Sequence, residues 1–316
     1  MQLHAFGTLV GISIFGSDAN TANAASSAVQ AEFLRIDADW YPWPKPGNAP
    51  PGELRRLNQA IASRQTIVVS ADLADIIRRA TGLEAASRGR FNPAIGALTA
   101  LWGFDDADSL QRPPPDAAAL AELDLSRMTT RELHWAGNEL SSDSNTLVID
   151  LGGIAKGAIL DLSARILRQH GVHNAIVNIG GDLIVLGRVR DRAARIGIRS
   201  PSADDILGWL AIADGETVVT SGDYERFFEF EGRRYQHILD PRTGHPVSHT
   251  SSVTVIHRDP LLADAAATAL VVAGEADFDE VCRLLHIEQA LLISAAGDVR
   301  LTAAMQKRVN WSDRSE

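Results

Sequence analysis

The hydrophobic pattern is clearest in the middle of the chain. A β-branched apolar run from Leu147 to Ile149 stops at Asp150 and is followed by two glycines. Apolar residues then recur every three or four positions, the spacing of a helix that is buried along one side. These positions are Ala155, Ile159, Leu162 and Ile166. A second apolar run covers residues 175–179 and breaks at 180–182. The pattern predicts a strand, a helix and another strand in succession.

Similar patterns predict further elements on both sides of this stretch. Alternating apolar residues at 9–14 indicate a first strand, and apolar positions at 29–40 indicate a helix capped by Ser26 or Ser27. Ser70 is predicted to cap another helix. Near the C-terminus, an alanine-rich helix is predicted to end at Gly274, with a further helix at 276–286. The runs at 227–239 and 289–303 are typical of β-hairpins, the first turning at Glu231.

Two proline-rich segments interrupt these elements. Residues 40–58 contain several prolines and tryptophans, which favours a stiff loop that presents aromatic side chains. Residues 105–118 contain three consecutive prolines and indicate a surface loop. This second loop is the best candidate for a domain boundary, but the amino-acid composition does not change across it. The chain is therefore predicted to form a single domain over residues 1–316.

Composition narrows the possible classes of protein. The 316 residues are 45% hydrophobic and 22% charged, as in an ordinary globular protein. A formal net charge of -10 argues against a nucleic-acid-binding surface, since binding would require many phosphates to be neutralised. The single cysteine, Cys282, lies in a helical pattern and is expected to be buried. The first residues lack the basic and apolar regions of a signal peptide.

Four polar clusters interrupt the apolar elements. Two of them end predicted strands and combine a glycine pair with a carboxylate, at 150–156 and at 180–182. Glycine pairs allow a ligand to approach backbone N–H groups, and a helix N-terminus beside them favours anionic oxygens. Ordinary tight turns would explain either one alone, but Lys156 favours an anion-binding site. The third cluster joins residues 220–223 with 237–244.

The fourth cluster is the pair Asp264 and Thr268. The two residues are four positions apart, so both side chains lie on one face of the alanine-rich helix. A buried carboxylate needs a partner or a cation, and Mg²⁺ prefers carboxylate, hydroxyl and carbonyl oxygens. Alternatively, Asp264 interacts with the helix dipole while Thr268 bonds to a backbone carbonyl. The spacing alone leaves both interpretations open.

Several familiar kinds of site do not fit the sequence. The nine histidines show no metal-ligand spacing, and the chain lacks the Gly-x-Ser-x-Gly motif of serine hydrolases. The segment GGIAKG at 152–157 has neither the order of a Walker A loop nor that of a dinucleotide-binding fingerprint.

The motifs taken together are far more specific than any one of them. In order they are FGT at 6–8, LRRLN at 54–58, GRFNPAIGALTALWGF at 89–104, DLGGIAKG at 150–157, VNIGGD at 177–182, TSGDYER at 220–226, HILDPRTG at 237–244 and ADAAATA at 263–269. This series resembles the successive signatures of the ApbE family of FAD:protein FMN transferases, or flavin transferases. The resemblance covers nearly the whole chain.

The resemblance implies an α+β fold, with mixed and antiparallel sheets and packed helices around an FAD cleft. It also implies a chemistry. Family members hold Mg²⁺ beside the FAD pyrophosphate, cleave it, and transfer FMN to a threonine or serine hydroxyl of an acceptor protein, with release of AMP. Splitting a phosphoanhydride requires stabilisation of negative charge on oxygen, which Mg²⁺ and a lysine supply.

The family's functional positions fall on particular residues of this chain. The implied metal ligands are the side chains of Asp264 and Thr268 and the carbonyls of Gly153 and Ala267. The implied FAD contacts are Phe6, Arg90, Phe91, Asn92, Asp150, Lys156, His237 and Ile238. Trp43 or Tyr41 is expected to stack on the flavin, because the tryptophan-proline loop replaces a family tyrosine. Lys156 is assigned to charge stabilisation, and His237 either to the phosphate or to proton transfer.

A general base is also required, and Asp264 is the first choice, with Asp240 second. Two rival functions use the same cleft. An FAD pyrophosphatase would use water as the acceptor, and a non-catalytic protein would only bind flavin. The expected partners are FAD and an acceptor protein of a flavin-carrying redox complex, without nucleic acid. Membrane association is expected only through an anchor absent from this chain. The family favours the periplasmic side of the inner membrane.

Overall fold

The computed structural model describes residues 1–5, 7–44, 49–105, 113–200 and 205–312. These residues form helices and antiparallel sheets in one layered arrangement, which confirms the predicted α+β class. The helices are α1 (Ala19–Asp39), α2 (Glu53–Ala62), α3 (Ala71–Ala86), α4 (Gly96–Trp102), α5 (Ala117–Ala121), α6 (Ala155–Gln169), α7 (Pro260–Leu284) and α8 (Ala303–Gln306).

Most of the described strands are short. In chain order they are β1 (Gln2–Ala5), β2 (Thr8–Ile14), β3 (Ile67–Val68), β4 (Leu133–Ala136), β5 (Glu139–Ser142), β6 (Ala175–Ile179), β7 (Asp182–Leu186), β8 (Ala194–Arg199), β9 (Ile206–Ile212), β10 (Thr217–Gly222), β11 (Phe227–Phe230), β12 (Arg233–Gln236), β13 (Leu239–Asp240), β14 (His245–Pro246), β15 (Thr250–His257), β16 (Ala290–Ser294), β17 (Val299–Leu301) and β18 (Asn310–Trp311).

The central element is an eight-stranded sheet with the order β1-β2-β6-β7-β10-β15-β16-β17. Every neighbouring pair in it is antiparallel. One face packs against α1, α6 and α7 through the largest hydrophobic core. A smaller core on the other face lies beneath a three-stranded sheet, β18-β9-β8. Two strands of this second sheet, β8 and β9, lie between β7 and β10 in the sequence.

Helix capping explains where several helices begin. The Asp18 side chain accepts the backbone N–H groups of Asn20 and Thr21, so α1 begins at Ala19. The prediction that Ser26 or Ser27 caps this helix is therefore wrong, although its predicted buried face is confirmed. Ser70 caps α3 as predicted. The helical φ and ψ angles of α7 break at Gly274, where the sequence predicts the end of a helix.

The segment before α6 differs from the prediction. Residues 147–149 form only a single bridge, between Val148 and Ile95, rather than a regular strand. The backbone of this segment nevertheless forms hydrogen bonds on both of its sides. The amide of Asp150 donates to the carbonyl of Pro93 at 2.8 Å, and on the other side the Asn58 side chain bonds both backbone groups of Ile149. A side chain therefore takes the place of a neighbouring strand.

Two further predictions are wrong. Strand β1 precedes the predicted first strand. Helix α2 begins at Glu53, inside the segment 40–58 that is predicted to be a loop, because Leu54 and Leu57 give this stretch a buried helical face.

The predicted hairpins agree with the structure. The hairpin β11–β12 turns at Glu231 and Gly232, both with positive φ, and β16–β17 form the C-terminal hairpin. Cys282 is buried. None of the described helices is both long and apolar enough to cross a membrane. Of the predicted surface loop at 105–118, residues 106–112 lie outside the described residues.

Candidate active site

The centre of the site is the ammonium group of Lys156, in the first turn of α6. Its nitrogen lies 2.5 Å from Oδ2 of Asp182 and 3.8 Å from Oε2 of Glu225. Asp182 is the first residue of β7, and Glu225 follows the end of β10. The Asp182 side chain is only 1% exposed, and its second oxygen accepts the amide of Thr220 at 2.8 Å. The sheet thus fixes the carboxylate that orients Lys156.

The side chain of Asp264, on α7, lies next to the helix turn that carries Lys156. It is 2% exposed, and its Oδ2 accepts the backbone N–H of Gly157, one residue after Lys156, at 2.8 Å. The two helices are very close here, because a Cβ atom at Gly157 would lie 2.3 Å from the carbonyl oxygen of Pro260. Any side chain at position 157 would therefore separate Asp264 from the turn of α6.

Burial and neighbouring charges together determine the ionisation of Asp264, Glu225 and Lys156. Burial raises the pKa of Asp264 to about 7, while Lys156 opposes the shift and the charges of Asp182 and Glu225 add to it. Burial likewise raises the pKa of Glu225 to about 7. Burial disfavours the charged form of Lys156, yet the three carboxylates outweigh this effect and raise its pKa. One ammonium group thus faces three carboxyl groups, which is an arrangement that suits an additional cation.

The residues predicted to bind a metal ion lie next to this group. A Cβ atom at Gly153 would lie 3.2 Å from Oγ1 of Thr268, so the Gly152-Gly153 turn faces the helix position one turn after Asp264. Ala267 is fully buried. The described residues contain no cluster of three or more His, Cys, Asp or Glu side chains suited to a metal ion. A hydroxyl, backbone carbonyls and one carboxylate nevertheless supply the oxygen donors that Mg²⁺ prefers.

Asp150 occupies the other side of the glycine turn. Its Oδ1 accepts the N–H of Gly152 at 2.8 Å, which closes the turn. Burial raises the pKa of Asp150, against the effects of this bond, of Thr99 and of the Arg226 charge. The carboxylate thus shapes the segment that carries Gly153, while its predicted contact with FAD stays a prediction.

His237 is held by backbone and aromatic neighbours. Its Nδ1 lies 3.1 Å from the carbonyl oxygen of Arg226, and its ring meets that of Phe104 edge-on at 6.4 Å. Burial lowers the pKa of His237 to about 4, so the ring is neutral at pH 7. Donation from Nδ1 to the carbonyl leaves Nε2 as an acceptor. Ile238, beside it, is buried.

The predicted flavin-contacting residues at 90–92 have internal partners. Arg90 is 7% exposed and pairs with Asp277 at 2.6 Å. The Asn92 side chain donates to the carbonyl of Met128 and accepts the amide of Ala94. Phe91 is buried beside Gly153. These contacts place the three residues next to the glycine turn, and their binding to FAD stays a prediction.

Two further predicted positions form none of the contacts described for the Lys156 group. The two carboxylate oxygens of Asp240 are both bonded by Arg242, at 2.8 to 2.9 Å, so they are already occupied. Trp43 lines a shallow depression with Tyr41, Pro51 and Arg55. Phe6 lies outside the described residues.

Sequence reasoning did not assign a role to two of the central carboxylates. Asp182 and Glu225 lie within the motifs VNIGGD and TSGDYER, so the signal was present. It could not be interpreted, because pairing of β7 with β10 brings residues 182 and 225 together. Asn58, in the LRRLN motif, was missed because its partner Ile149 is 91 residues away in the sequence.

The fold is that of solved flavin transferases. The ApbE protein of Thermotoga maritima is 27% identical and superposes with a TM-score of 0.88, covering 98% of both chains. Flavin transferase ApbE from Vibrio cholerae is 28% identical, with a TM-score of 0.82 and the same coverage. The predicted arrangement of sheets and helices is thereby confirmed.

The protein belongs to the ApbE family, whose model matches residues 6–311. An FAD:protein FMN transferase of Rhodobacter capsulatus is 36% identical over 310 residues, which are 97% of this chain. The chain spans only 57% of the length of that relative. An FAD:protein FMN transferase of Treponema pallidum is 37% identical over 278 residues, 80% of this chain and 74% of the relative.

Proposed function

We propose that the protein transfers FMN from FAD to a threonine or serine hydroxyl of an acceptor protein, with Mg²⁺ as the metal and AMP as the second product. The observation that carries the proposal is the position of Lys156, held by Asp182 beside the Gly152-Gly153 turn and the Asp264 carboxylate. The names of the relatives support FAD as the substrate and a protein as the acceptor.

The oxygen donors of the site fit a magnesium ion. Asp264 and Thr268 would supply side-chain oxygens, and Gly153 and Ala267 would supply carbonyl oxygens. When bound there, Mg²⁺ neutralises negative charge on the pyrophosphate of FAD. The excess of carboxyl groups over ammonium groups around Lys156 makes the site attractive to a divalent cation.

Lys156 is suited to stabilise the leaving phosphate. Its ammonium group carries three donors, and Asp182 takes one of them, which leaves donors for phosphate oxygens. Its pKa is raised, so it stays charged at neutral pH. Fixed positive charge beside the bond that breaks stabilises the oxygen anion that forms.

Proton removal from the acceptor hydroxyl needs a base beside the metal. Asp264 remains the first candidate, since its carboxylate lies within the group around Lys156, where it accepts the N–H of Gly157. Asp240 loses support because Arg242 occupies both of its oxygens. The neutral His237 retains an unprotonated Nε2, which supports proton transfer rather than phosphate binding, because that nitrogen donates no hydrogen bond to a phosphate oxygen.

One experiment separates transfer from the two rival functions. The protein is incubated with FAD, Mg²⁺ and an acceptor protein, and both AMP release and the intact mass of the acceptor are measured. Transfer adds the mass of FMN to the acceptor as AMP appears. Free FMN and AMP without a mass change would indicate a pyrophosphatase. Flavin binding without AMP would indicate a non-catalytic protein.

We further propose that the protein acts on the periplasmic side of the inner membrane, a location supported only by the family. Fractionation of cells that express the complete reading frame tests this location. Recovery only in the cytosolic fraction would contradict it.

A further inference from the structure

Five arginines are concentrated in one short stretch of this acidic protein. Residues 187–200 contain five arginines and a single aspartate, in a chain with a formal net charge of -10. All five are exposed, and within the described residues none forms an ion pair. They are Arg188, Arg190, Arg192, Arg195 and Arg199. Exposed guanidinium groups that form no ion pair are free to bind an acidic partner.

The arginines lie on or just before an edge strand. In the sheet β18-β9-β8, strand β8 pairs with β9 on one side only within the described part of the chain. An antiparallel strand directs about half of its backbone groups to each side, so β8 leaves a row of N–H and C=O groups unpaired. Such an edge accepts an extended peptide as an added strand.

The outer face beside this edge is partly apolar. The guanidinium carbon of Arg195 lies 3.7 Å from the ring centroid of Trp209 on β9. Ile206 is 52% exposed, and a Cβ atom at Gly197 would lie 3.1 Å from its Cδ1. An added strand would therefore meet apolar surface as well as charge.

Strand β8 ends close to the active site. The charge of Arg199 acts on the phenol of Tyr224, whose pKa burial raises to about 12. Tyr224 immediately precedes Glu225, the partner of Lys156. Arg199, the last residue of β8, thus lies within electrostatic reach of Tyr224, the residue next to Glu225.

We propose that the edge of β8 docks an acidic, extended segment of the acceptor protein, which pairs as an added strand and directs its hydroxyl side chain towards Lys156. This inference rests on the proposed transferase function. A membrane of anionic lipids would also attract arginines, but it would make no use of an unpaired strand edge. A peptide uses both the charge and the backbone groups.

The test uses a short fluorescein-labelled peptide of alternating glutamate and valine with one threonine, followed by anisotropy. Two comparison peptides carry lysine in place of glutamate or N-methyl groups on alternate amides. The variant Arg188→Glu/Arg192→Glu/Arg195→Glu removes charge from the edge. A control, Arg64→Glu/Arg131→Glu/Arg283→Glu, makes the same charge change at exposed arginines elsewhere.

The edge variant is expected to bind the acidic peptide about tenfold more weakly, or worse, with the control variant unaffected. The N-methylated and lysine peptides should bind poorly to the wild type. Equal binding by the edge variant, or equal binding of the N-methylated peptide, would overturn the proposal. Binding to phosphatidylglycerol vesicles without peptide binding would also overturn it, in favour of a membrane surface.

FAD binding in the presence of Mg²⁺ is measured on the same preparations by flavin fluorescence. Both triple variants are expected to retain it, because none of the altered residues belongs to the Lys156 site. Failure of the docking proposal therefore leaves FAD binding intact. Absence of FAD binding in every preparation, the wild type included, would instead refute the proposed function.

Discussion

The Lys156 ammonium nitrogen lies 2.5 Å from Oδ2 of Asp182, and Asp182 is almost completely buried at the start of β7. Because the other oxygen of Asp182 is bonded to the backbone of Thr220, the carboxylate has little freedom to move. The ammonium group of a flexible side chain is therefore held in one place before any substrate binds. Such preorganisation is what charge stabilisation in a transition state requires.

Asp182→Asn should lower the rate of AMP release from FAD by roughly 100-fold, because the amide no longer fixes the Lys156 charge. The effect should fall mainly on kcat. Asp161→Asn is the control, since Asp161 lies on α6 but pairs with Arg165 at the surface. Steady-state kinetics with the acceptor protein present and at saturating Mg²⁺ measure the effect. A rate for Asp182→Asn within a few-fold of the wild type would remove Lys156 positioning from the mechanism.

The local part of this site could be predicted from the sequence. The i, i+4 spacing of Asp264 and Thr268 and the glycine pair before Lys156 are properties of single elements, and the structure places them side by side. Glu225 could not be located, because the segment after β10 is placed by the pairing of β10 with β7, which is not evident from the sequence. The missed cap of α1 has another cause. Asp18 and the two serines are all good N-cap residues, and sequence alone does not rank them.

The clamp between Asn58 and Ile149 shows where prediction from the sequence ends. The two residues are 91 positions apart, yet the Asn58 amide bonds both the N–H and the C=O of Ile149, at 2.8 and 2.9 Å. Among the described residues, the expected strand at 147–149 has no neighbouring strand on that side. An apolar run predicts burial, but it does not show whether backbone groups or a side chain will satisfy its hydrogen bonds.

Asn58→Ala should destabilise the protein by about 1–3 kcal/mol, because two buried backbone groups lose their partner. It should also reduce the increase in melting temperature caused by Mg²⁺, since Ile149, which Asn58 holds, is only four residues before Gly153 in the sequence. Gln59→Ala, an exposed change on the same helix, is the control. Thermal melts with and without Mg²⁺ measure both effects. Lower stability with an unchanged Mg²⁺ shift would limit Asn58 to a structural role.

Acid should destabilise the protein partly through His237. Its pKa is about 4 in the folded state, below the ordinary value of 6.5, so the unfolded state binds more protons between these values. The contribution is fully present above pH 6.5 and is lost as the pH falls towards 4, amounting to at most about 3 kcal/mol. Glu225 and Asp264, with raised pKa values, act in the opposite direction.

The comparison of wild type with His237→Gln isolates the histidine from these carboxyl groups. The free energy of unfolding of the two proteins should converge as the pH falls from 6.5 to 4, as measured by urea titration. A difference that stays constant over this range would show that His237 does not titrate there.

Trp43→Ala tests the predicted contact between the tryptophan-proline loop and the flavin. If the indole ring stacks on the isoalloxazine, FAD binding should weaken by roughly 1–3 kcal/mol, the range for ring stacking on a base. Trp311→Ala, a change of the same kind at an exposed C-terminal position, serves as the control. Flavin fluorescence titration gives both affinities. Equal affinities for the two variants would leave Trp43 with the packing contacts it makes beside Tyr41 and Arg55.

Asp264→Ala should leave the fold intact but abolish Mg²⁺-dependent AMP release. Alanine suits the interior of this alanine-rich helix. The variant leaves the N–H of Gly157 without its acceptor, which costs about 1–3 kcal/mol. It also removes a buried carboxyl group from the neighbourhood of Asp182 and Glu225, which offsets that cost. The melting temperature without metal should therefore change little, and the stabilisation by Mg²⁺ should disappear.

Asp259→Ala provides the contrast on the same helix. Asp259 caps the start of α7 by accepting the amides of Leu261 and Leu262, so its loss should lower the melting temperature by weakening the helix start. AMP release per folded molecule should then remain close to that of the wild type. Melting temperature and AMP release measured on the same preparations separate the two roles. A folded Asp264→Ala protein that still releases AMP with Mg²⁺ would show that the carboxylate is not a metal ligand required for the reaction.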